Sequence, residues 1–437
     1  MTKLAILELN ELNFESLELY VRQGALPHFR EFFARHGYCK TTSEVRYAEL
    51  EPWIQWVTAH TGKTFAEHGI FRLGDAVHAD VPQIWEQLES ECGLKAGAIS
   101  PMNAANRLSN AAFFVPDPWT PTHASGSWLL RQLAGAVAQA VNDNASSRIT
   151  ARSYFFLLLG LLRYARLENY PAYLGLVLGV LRRPWNKVRF LDLFLGDLFI
   201  HFSRAKKPDF CTLFINGAAH LQHHYMLNAL GAAQRAGNPD WYVKPERDPV
   251  GDIYRTYDRI LGSVVRALPD YRVMLMTGLH QESCPAPIFY WRLRDHDAFF
   301  RKLGCPFARV LPRMSRDFLI VFDSRADAEC TSAILNAARI NGAPAFQLED
   351  RGNDIFVELV YSRDLDDTAE LTSGPVTIAG LRGELVFVAI KNGVHSGVGY
   401  FSDSGRPAAA LPATIPLAEL HQGVLEVFRP PAVPKIA

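Results

Sequence analysis

Histidines follow three apolar runs of this sequence, and they are the residues best able to do chemistry. The segments are Phe214–His224, which contains Asn216, His220, His223 and His224; Met274–Glu282, which contains His280; and Lys391–Phe401, which contains His395. Apolar runs of this kind are typical of buried strands, and an open α/β sheet builds its sites where such strands end. We therefore expect the imidazoles to meet at one edge of a sheet, where they could hold one or two divalent metal ions.

The composition is that of an ordinary globular protein. Of the 437 residues, 49% are hydrophobic and 21% are charged, which excludes a disordered chain. Lys plus Arg and Asp plus Glu each number 45, and no basic cluster is interleaved with aromatics, so we expect no nucleic-acid partner. The six cysteines have no CxxC spacing and the first residues enter a strand, so we expect reduced thiols in a cytoplasmic protein.

Strand and helix signals alternate over much of the chain. Buried-strand character marks residues 3–9, 95–100, 209–215 and 272–276. Helical patterns mark residues 14–22, 27–36, 84–92 and 252–268. Pro52 begins a further helix that ends at Gly62, because proline suits the first helical position and glycine the exit. This alternation predicts an α/β fold with a mostly parallel, doubly wound sheet.

Two insertions interrupt the predicted core, which comprises residues 1–124, 206–294 and 386–437 with a tail. Residues 125–205 read as a helical cap, with apolar stretches of about ten residues against the ~20 that cross a bilayer. These stretches either pack together or form a surface that touches lipid, because arginines flank them. Residues 295–385 read as a small α+β lid that includes a helix at 326–341.

Several short motifs occur in a particular order. They are Gly24-Ala-Leu-Pro27-His-Phe, Thr61-Gly62 leading to His68-Gly69-Ile70, Asn216-Gly-Ala-Ala-His220, Thr277-Gly-Leu279-His280, and His395-Ser-Gly-Val-Gly-Tyr. In this order they resemble the alkaline phosphatase superfamily, in particular its type I phosphodiesterase/nucleotide pyrophosphatase branch. The resemblance covers residues 1–120, 206–285 and 385–405, and it implies an alkaline phosphatase-like fold.

The resemblance also implies metal ligands. His220 and His395 would bind one ion with Asn216, and His280 would bind a second with Asn10 and Glu51. Where the family has Asp, this chain has Asn10, Asn216 and Leu279, so charge and one ligand are lost. Further candidates to complete the set are His223, which shares a helix face with His220, and the acids Glu11 and Glu282. Zinc or manganese is the expected metal, as one or two ions.

Glu51 stands where the family has its hydroxyl nucleophile, and no Ser or Thr occurs between Ser43 and Thr58. Three roles remain open for it. It could cap the helix that begins at Pro52, because a carboxylate is favourable at a helix N-terminus. It could bind metal, or it could act in catalysis as a nucleophile or general base.

Two functions are therefore compatible with the sequence. The first is a metal-dependent hydrolase or transferase acting on a phosphomonoester, a phosphodiester or a related anionic ester, with a small-molecule or lipid-linked substrate. The second is a catalytically degenerate protein of the same fold that acts as a binding or scaffolding partner. Peripheral membrane contact through the cap is compatible with either, and the sequence leaves the oligomeric state open.

Overall fold

The computed structural model describes residues 2–142, 150–232, 237–312 and 316–429, so the last eight residues of the predicted tail lie outside it. Its α-helices are α1 Phe14–Arg22, α2 Pro27–His36, α3 Pro52–Thr61, α4 Phe65–His68, α5 Ile84–Cys92, α6 Trp128–Asn142, α7 Ala151–Tyr164, α8 Tyr170–Leu178, α9 Asn186–Lys206, α10 Gly217–Tyr225, α11 Pro249–Ala267, α12 His296–Leu303, α13 Arg325–Ala337, α14 Leu381–Glu384 and α15 Glu419–Phe428. Its strands are β1 Lys3–Leu9, β2 Cys39–Thr42, β3 Ala96–Ile99, β4 Phe113–Val115, β5 Phe210–Ile215, β6 Tyr271–Met276, β7 His280–Leu293, β8 Arg309–Pro312, β9 Asp317–Val321, β10 Arg339–Ile340, β11 Ala343–Pro344, β12 Phe346–Asp350, β13 Asp354–Leu359, β14 Leu371–Ser373, β15 Val376–Ile378, β16 Leu385–Ser396, β17 Val398–Asp403 and β18 Thr414–Pro416.

An eight-stranded sheet in the order β18-β2-β17-β6-β1-β5-β3-β4 forms the centre of the molecule. Strand β1 pairs in parallel with β5 on one side and β6 on the other, and β5, β3 and β4 continue in parallel. Strand β17 alone runs antiparallel, against both β6 and β2, while β18 is parallel to β2. The prediction of a mostly parallel α/β sheet is therefore confirmed.

Helices cover both faces of this sheet. Successive side chains of a strand point to opposite faces, so β1 contributes to two separate apolar layers. Leu7 and Leu9 pack in one layer with α1, α2, α6, α9, α10 and α11, while Leu4 and Ile6 pack in the other with α3, α5 and α15. The sheet is doubly wound, as predicted, and its carboxyl edge stays free of this packing to present loops.

The lid region has an apolar core of its own. Two four-stranded antiparallel sheets, β11-β10-β14-β15 and β12-β13-β9-β8, pack with α12 and α13 around residues such as Trp291 and Phe318. A long antiparallel ribbon of β7 and β16 joins this core to the central sheet, and it places Gln281 opposite His395. Strand β7 therefore begins at the candidate residue His280, and β16 ends one residue after the candidate His395.

The predicted helix at 326–341 is wrong at its C-terminal end. Helix α13 ends at Ala337, and a tight hairpin of β10 and β11 follows, in which Ile340 pairs with Ala343. Asn341 and Gly342 form the turn, with φ angles of 48° and 79°. Asn-Gly favours a two-residue hairpin turn that needs positive φ at both positions, so the turn outweighs the helical pattern before it.

The cap region consists of α6 to α9. Helix α9 packs against the central sheet, and Phe194 and Phe199 are almost fully buried there. Helices α7 and α8 lie farther out and keep large apolar side chains exposed. Within the described residues, no helix is long and apolar enough to cross a membrane.

Candidate metal centre

Three neighbouring strands deliver the candidate residues to the carboxyl edge of the central sheet. Asn10 and Glu11 follow β1, Asn216 follows β5, and Thr277 follows β6. Helix α10 begins directly after Asn216, and its first N–H, from Gly217, donates to the Asp192 carboxylate at 2.8 Å. This bond fixes the start of the helix that carries the His220–His224 cluster.

Glu11, His223 and His395 bring one ligand atom each to a common point. The Glu11 Oε2 atom lies 3.1 Å from His223 Nε2 and 3.2 Å from His395 Nε2. The two Nε2 atoms lie 3.3 Å from each other. These three residues come from the end of β1, from α10 and from β16, and we call them the Glu11 triangle.

The backbone holds Glu11 in an unusual conformation. Its φ angle is +55°, a left-handed conformation that non-glycine residues seldom adopt. Its N–H donates to the Thr277 carbonyl at 3.1 Å, and its own carbonyl accepts from the Gln222 side chain at 2.7 Å. Strain of this size persists only where surrounding bonds determine the conformation, and here they aim the carboxylate at the two histidines.

The Glu11 carboxylate is buried, with only 2% of the side chain accessible. Its Oε1 atom accepts from the Asn10 amide at 3.2 Å, and the Gln281 amide donates to Oε2. Burial alone would raise the pKa of Glu11, but the charge and hydrogen bonds of His223 and His395 hold it well below its usual range. Glu11 is therefore ionised, as a metal ligand must be.

Electrostatics act on His395 in the opposite sense. Burial alone would lower the pKa of this imidazole, but the hydrogen bond and negative charge of Glu11 raise it above its usual value. The buried carboxylate therefore favours a positive charge on the neighbouring His395 imidazole. A divalent ion could supply that positive charge instead.

The Glu11 triangle fits a divalent metal in its donors and in its dimensions. Two imidazoles and one carboxylate are the protein ligands of one class of catalytic zinc site, in which a fourth position stays open. Zinc bonds of about 2.0–2.1 Å in tetrahedral geometry separate neighbouring ligand atoms by about 3.3 Å. The observed separations are 3.1, 3.2 and 3.3 Å. His223 keeps 32% of its side chain accessible, so the site opens to solvent.

Glu51 faces the same cleft. It stands at the N-cap position of α3, but its side chain makes no hydrogen bond to the helix backbone. Its Oε2 atom lies 3.9 Å from His395 Nδ1, and a third of the side chain is accessible. Burial raises the pKa of Glu51, and the charge of Glu11 adds to the increase while that of His395 opposes it. A capping hydrogen bond therefore does not explain Glu51, and its position beside His395 leaves the ligand and catalytic roles open.

Asn10 and Asn216, which were predicted as metal ligands, are linked with Trp56 in a linear chain of hydrogen bonds. Trp56 Nε1 donates to Asn10 Oδ1 at 2.6 Å, which sets the orientation of the Asn10 amide. The Asn10 Nδ2 atom then donates to Asn216 Oδ1 at 2.7 Å. Both amide oxygens accept bonds from within the protein, and we call this set the amide chain.

His280 lies at the base of the ribbon and points elsewhere. Its Nδ1 atom lies 2.5 Å from the Val398 carbonyl oxygen, and its Nε2 atom lies 3.5 Å from Glu282. Glu282 is largely exposed, and the His280 ring contacts Tyr400. His280 and Glu282 thus stand next to each other but apart from the Glu11 triangle, and their predicted metal role stays a prediction.

His220 and His224 lie one turn apart on α10, with ring centroids 4.7 Å from each other. His220 is exposed in the cleft, and His224 lies 3.3 Å from the Tyr242 hydroxyl. Of the α10 imidazoles it is His223, three residues after His220, that meets Glu11 and His395. The shared helix face was predicted, but the choice of His223 within it was not.

Two glutamines that support Glu11 escaped the sequence analysis. Gln281 donates to the Glu11 carboxylate, and Gln222 holds the Glu11 carbonyl while accepting from Tyr254 at 2.6 Å. Strand alternation is the one signal that bears on Gln281. Neighbouring side chains of a strand point to opposite faces, so Gln281 faces away from His280. Nothing local in the sequence marks Gln222.

No protein-family model matches the chain, and no curated protein matches it. Solved structures similar to it include phosphonoacetate hydrolase from Sinorhizobium meliloti 1021 in complex with phosphonoformate. That protein is 12% identical with a TM-score of 0.46, and the similarity covers 98% of this chain and 96% of that one. Murine ectonucleotide pyrophosphatase/phosphodiesterase 5 is 10% identical with a TM-score of 0.44, and the similarity covers 99% of this chain and 96% of that one. The human protein is 12% identical with a TM-score of 0.42, and the similarity again covers 99% of this chain and 96% of that one.

Proposed function

We propose that the Glu11 triangle binds one divalent metal ion, zinc before manganese, and that the cleft hydrolyses a phosphoester or a related anionic ester. The observation that supports this is the near-equilateral arrangement of three ligand atoms, 3.1 to 3.3 Å apart, at the carboxyl edge of the sheet. A metal ion bound there would supply Lewis-acid charge and a water of lowered pKa.

Glu51 is the residue we assign to proton transfer. Its carboxylate stands 3.9 Å from His395 Nδ1 and stays accessible to the cleft. A raised pKa brings a carboxyl group closer to the pH at which it can both accept and donate a proton. Deprotonated Glu51 would accept a proton from the attacking water and pass it to the leaving oxygen.

An anionic substrate needs a cation, and Lys391 supplies one beside the cleft. Burial alone would lower the pKa of Lys391, but the neighbouring Tyr290 and Tyr47 hydroxyls raise it, so the ammonium stays charged. Its Nζ atom lies 3.5 Å from the Tyr47 hydroxyl. We assign Lys391 to binding of the ester's negative charge.

The substrate class follows from the order of the motifs, and the identity of the nucleophile follows from the absence of a hydroxyl side chain at the start of α3. The motifs resemble those of phosphoester hydrolases, but no Ser or Thr occurs between Ser43 and Thr58 to act as the nucleophile. Water therefore attacks directly in our proposal, and no covalent enzyme intermediate forms on a hydroxyl. A phosphomonoester and a phosphodiester are the two candidates to test first.

The alternative, a binding protein that has lost hydrolysis, is favoured by the amide chain. The side-chain oxygens of Asn10 and Asn216 already accept hydrogen bonds from within the protein, and the Nδ1 atom of His280 hydrogen-bonds to the Val398 carbonyl. A second metal ion of the kind the family resemblance implies has few open ligands there. A cleft with one metal and no turnover would suit a protein that recognises an anionic ester without cleaving it.

Metal content and turnover measured together separate these functions. The purified chain is stripped with a chelator, reloaded with zinc or manganese, and analysed by plasma mass spectrometry. We expect about one ion per chain. Release of p-nitrophenol from p-nitrophenyl phosphate and from bis(p-nitrophenyl) phosphate then reports hydrolysis.

A surface imidazole provides the control. His36 lies at the end of α2 and contacts the Arg406 carbonyl at 3.3 Å, away from the cleft. His36→Ala is expected to keep the metal and the turnover of the unchanged protein, whereas His395→Ala loses both. Metal binding without turnover would support the alternative function, and absence of both metal and turnover would refute the proposal.

A further inference from the structure

Helices α7 and α8 expose an unusual amount of apolar surface. On α8 and just after it, Leu174, Val177, Leu178 and Leu181 follow the i, i+3, i+4, i+7 spacing of one helix face, and Leu181 is 95% exposed. On α7, Tyr154, Phe155, Leu158 and Leu162 are each more than half exposed. We call these two sets of exposed residues, on consecutive helices of the cap, the cap face. An exposed patch of neighbouring large apolar side chains marks an interaction surface.

A basic cavity lies beside the cap face, on the inner side of α8. It measures about 420 Å³, and Gly175 of α8 and Gly179, which follows the helix, help to line it. The cationic side chains that line it are Arg183, Arg189, Arg255 and Arg259. We call this cavity the arginine pocket.

Positive charge exceeds negative charge in the arginine pocket. Arg183, Arg189 and Arg255 all pair with the single carboxylate of Asp252, at 3.2, 3.7 and 3.2 Å. Arg259 adds a fourth guanidinium to the lining. One carboxylate neutralises one of these charges, so the pocket is suited to an anion such as a phosphate group.

The same charge excess extends along the sequence of this region. Residues 151–190 contain seven Lys or Arg and one Glu, a net charge of +6 in a chain whose total is zero. Arg152, Arg163, Arg182 and Lys187 are exposed around the cap face. An apolar face rimmed by basic side chains is typical of helices that lie in the interface of a membrane.

We propose that the cap face docks on an anionic lipid bilayer, with its leucines and aromatics at the boundary of headgroups and acyl chains and a phospholipid phosphate in the arginine pocket. The leucines alone would suit any apolar partner. Charge complementarity selects the membrane, because anionic leaflets attract clustered Lys and Arg. The docking surface is formed by the cap together with Arg255 and Arg259 of α11, and it does not depend on the proposed metal centre.

Vesicle flotation tests this proposal directly. The full chain is mixed with phosphatidylcholine vesicles that either contain or lack phosphatidylglycerol, and the fraction that floats is measured. We expect binding to the anionic vesicles, little binding to phosphatidylcholine alone, and weaker binding as salt is raised. Failure to float with anionic vesicles would overturn the proposal.

Two double variants address the two parts of the surface. Leu178→Glu with Leu181→Glu replaces exposed leucines by charges, and we expect vesicle affinity to fall by more than about 100-fold because apolar burial is lost. Arg255→Gln with Arg259→Gln removes two charges, and we expect a fall of roughly 20- to 30-fold, about fivefold for each arginine near an anionic surface.

Control variants and competing occupants complete the experiment. Val45→Glu and Arg301→Gln change an exposed apolar and an exposed basic residue outside the cap, and both should bind as the unchanged chain does. Thermal unfolding checks that the double variants are folded. Unchanged flotation of either folded double variant would overturn the proposal.

Light scattering that finds a dimer in the absence of vesicles, which the leucine variant dissociates, would assign the cap face to a second copy of the chain. Tight binding of inorganic phosphate without flotation would assign the pocket to a free anion.

Discussion

The Glu11 triangle and the amide chain lie side by side at one edge of the sheet, yet they differ in what their polar atoms do. In the triangle, a carboxylate and two imidazoles aim three ligand atoms at one point. In the amide chain, Trp56, Asn10 and Asn216 satisfy one another in sequence. Residues of both regions were predicted as metal ligands, Asn10 and Asn216 because of the motif resemblance and Glu11 and His223 as further candidates to complete the set.

The comparison teaches that ligand type and spacing do not suffice to identify a metal site. A buried amide oxygen that already accepts a strong hydrogen bond has to lose that bond before it can bind an ion, which costs about 1–3 kcal/mol. In the triangle, Glu11 also accepts hydrogen bonds from Asn10 and Gln281, but its carboxylate carries a negative charge and has further lone pairs with which to bind an ion. The hydrogen-bond partners of each candidate atom therefore separate the two regions.

The largest expected effect comes from Glu11→Gln, which removes the only carboxylate of the triangle. Gln keeps an oxygen of similar size but carries no charge, so we expect metal affinity to fall at least about 100-fold and turnover to fall below detection. Metal content after dialysis and p-nitrophenol release measure the two effects. Full metal occupancy in Glu11→Gln would show that the ion binds elsewhere, and the contrast with the amide chain would fail.

The second prediction compares two imidazoles of one helix. His223→Ala removes a corner of the triangle, whereas His220→Ala removes a neighbour that lies three residues earlier and is exposed. We expect His223→Ala to weaken metal binding at least about tenfold more than His220→Ala, because only the first loses a ligand. The pair is matched in helix and in chemistry, and competition with a chromogenic chelator gives the affinities. The reverse order would favour the ligand set that the motif resemblance implies.

The third prediction restores charge to the amide chain. Asn10→Asp keeps the bond from Trp56 but removes the amide donor to Glu11 and Asn216, so a second carboxylate faces the first. We expect a loss of stability of about 2–3 kcal/mol in metal-free protein, measured by chemical denaturation. Asn10→Ser, which shortens the side chain and removes the amide group but adds no charge, is the control and should be less destabilised. A gain of a second bound ion in Asn10→Asp, without loss of stability, would make the amide chain a latent metal site.

The smallest effect concerns Asp192, which anchors the start of α10 and so the position of His223. Burial raises the pKa of Asp192 to about 7, although the hydrogen bonds from Tyr257 and Gly217 act to lower it. The protonated form is thus favoured in the folded chain, so this group's contribution to stability is fully present below pH 3.8 and is lost as pH rises toward about 7. Asp192→Asn cannot titrate, and we expect denaturation midpoints measured from pH 4 to 8 to fall less steeply in the variant. Identical slopes would contradict the raised pKa.

The sequence predicts the core of the fold because its central strands carry strong local signals. β1, β5 and β6 are largely apolar runs, as is typical of buried parallel strands, and Pro52 and Gly62 mark the ends of α3 within the sequence itself. The error at 326–341 arose where a hairpin turn of two residues, Asn341 and Gly342, competed with helical periodicity. Local turn geometry decided that outcome.

The candidate site was less predictable, because its arrangement depends on contacts between distant parts of the chain. The types of His223 and His395 made them candidates, but their meeting with Glu11 requires the left-handed backbone at Glu11 and the support of Gln281 across the sheet. No local signature marks the backbone angle, and strand alternation gives the side on which Gln281 lies but not its contact with Glu11. The motif resemblance pointed to His280, which the fold turns toward Val398.

The ribbon of β7 and β16 has a consequence for how this cleft could change in evolution or by engineering. The side chains of a strand alternate between its two faces, so inserting or deleting an odd number of residues between the lid core and His395 would reverse the direction of that imidazole. Gln281 and His395, which face each other across the ribbon, would then part although neither had been mutated. The lid can therefore vary in length at its far end, whereas the number of residues in the two strands of the ribbon has to stay the same.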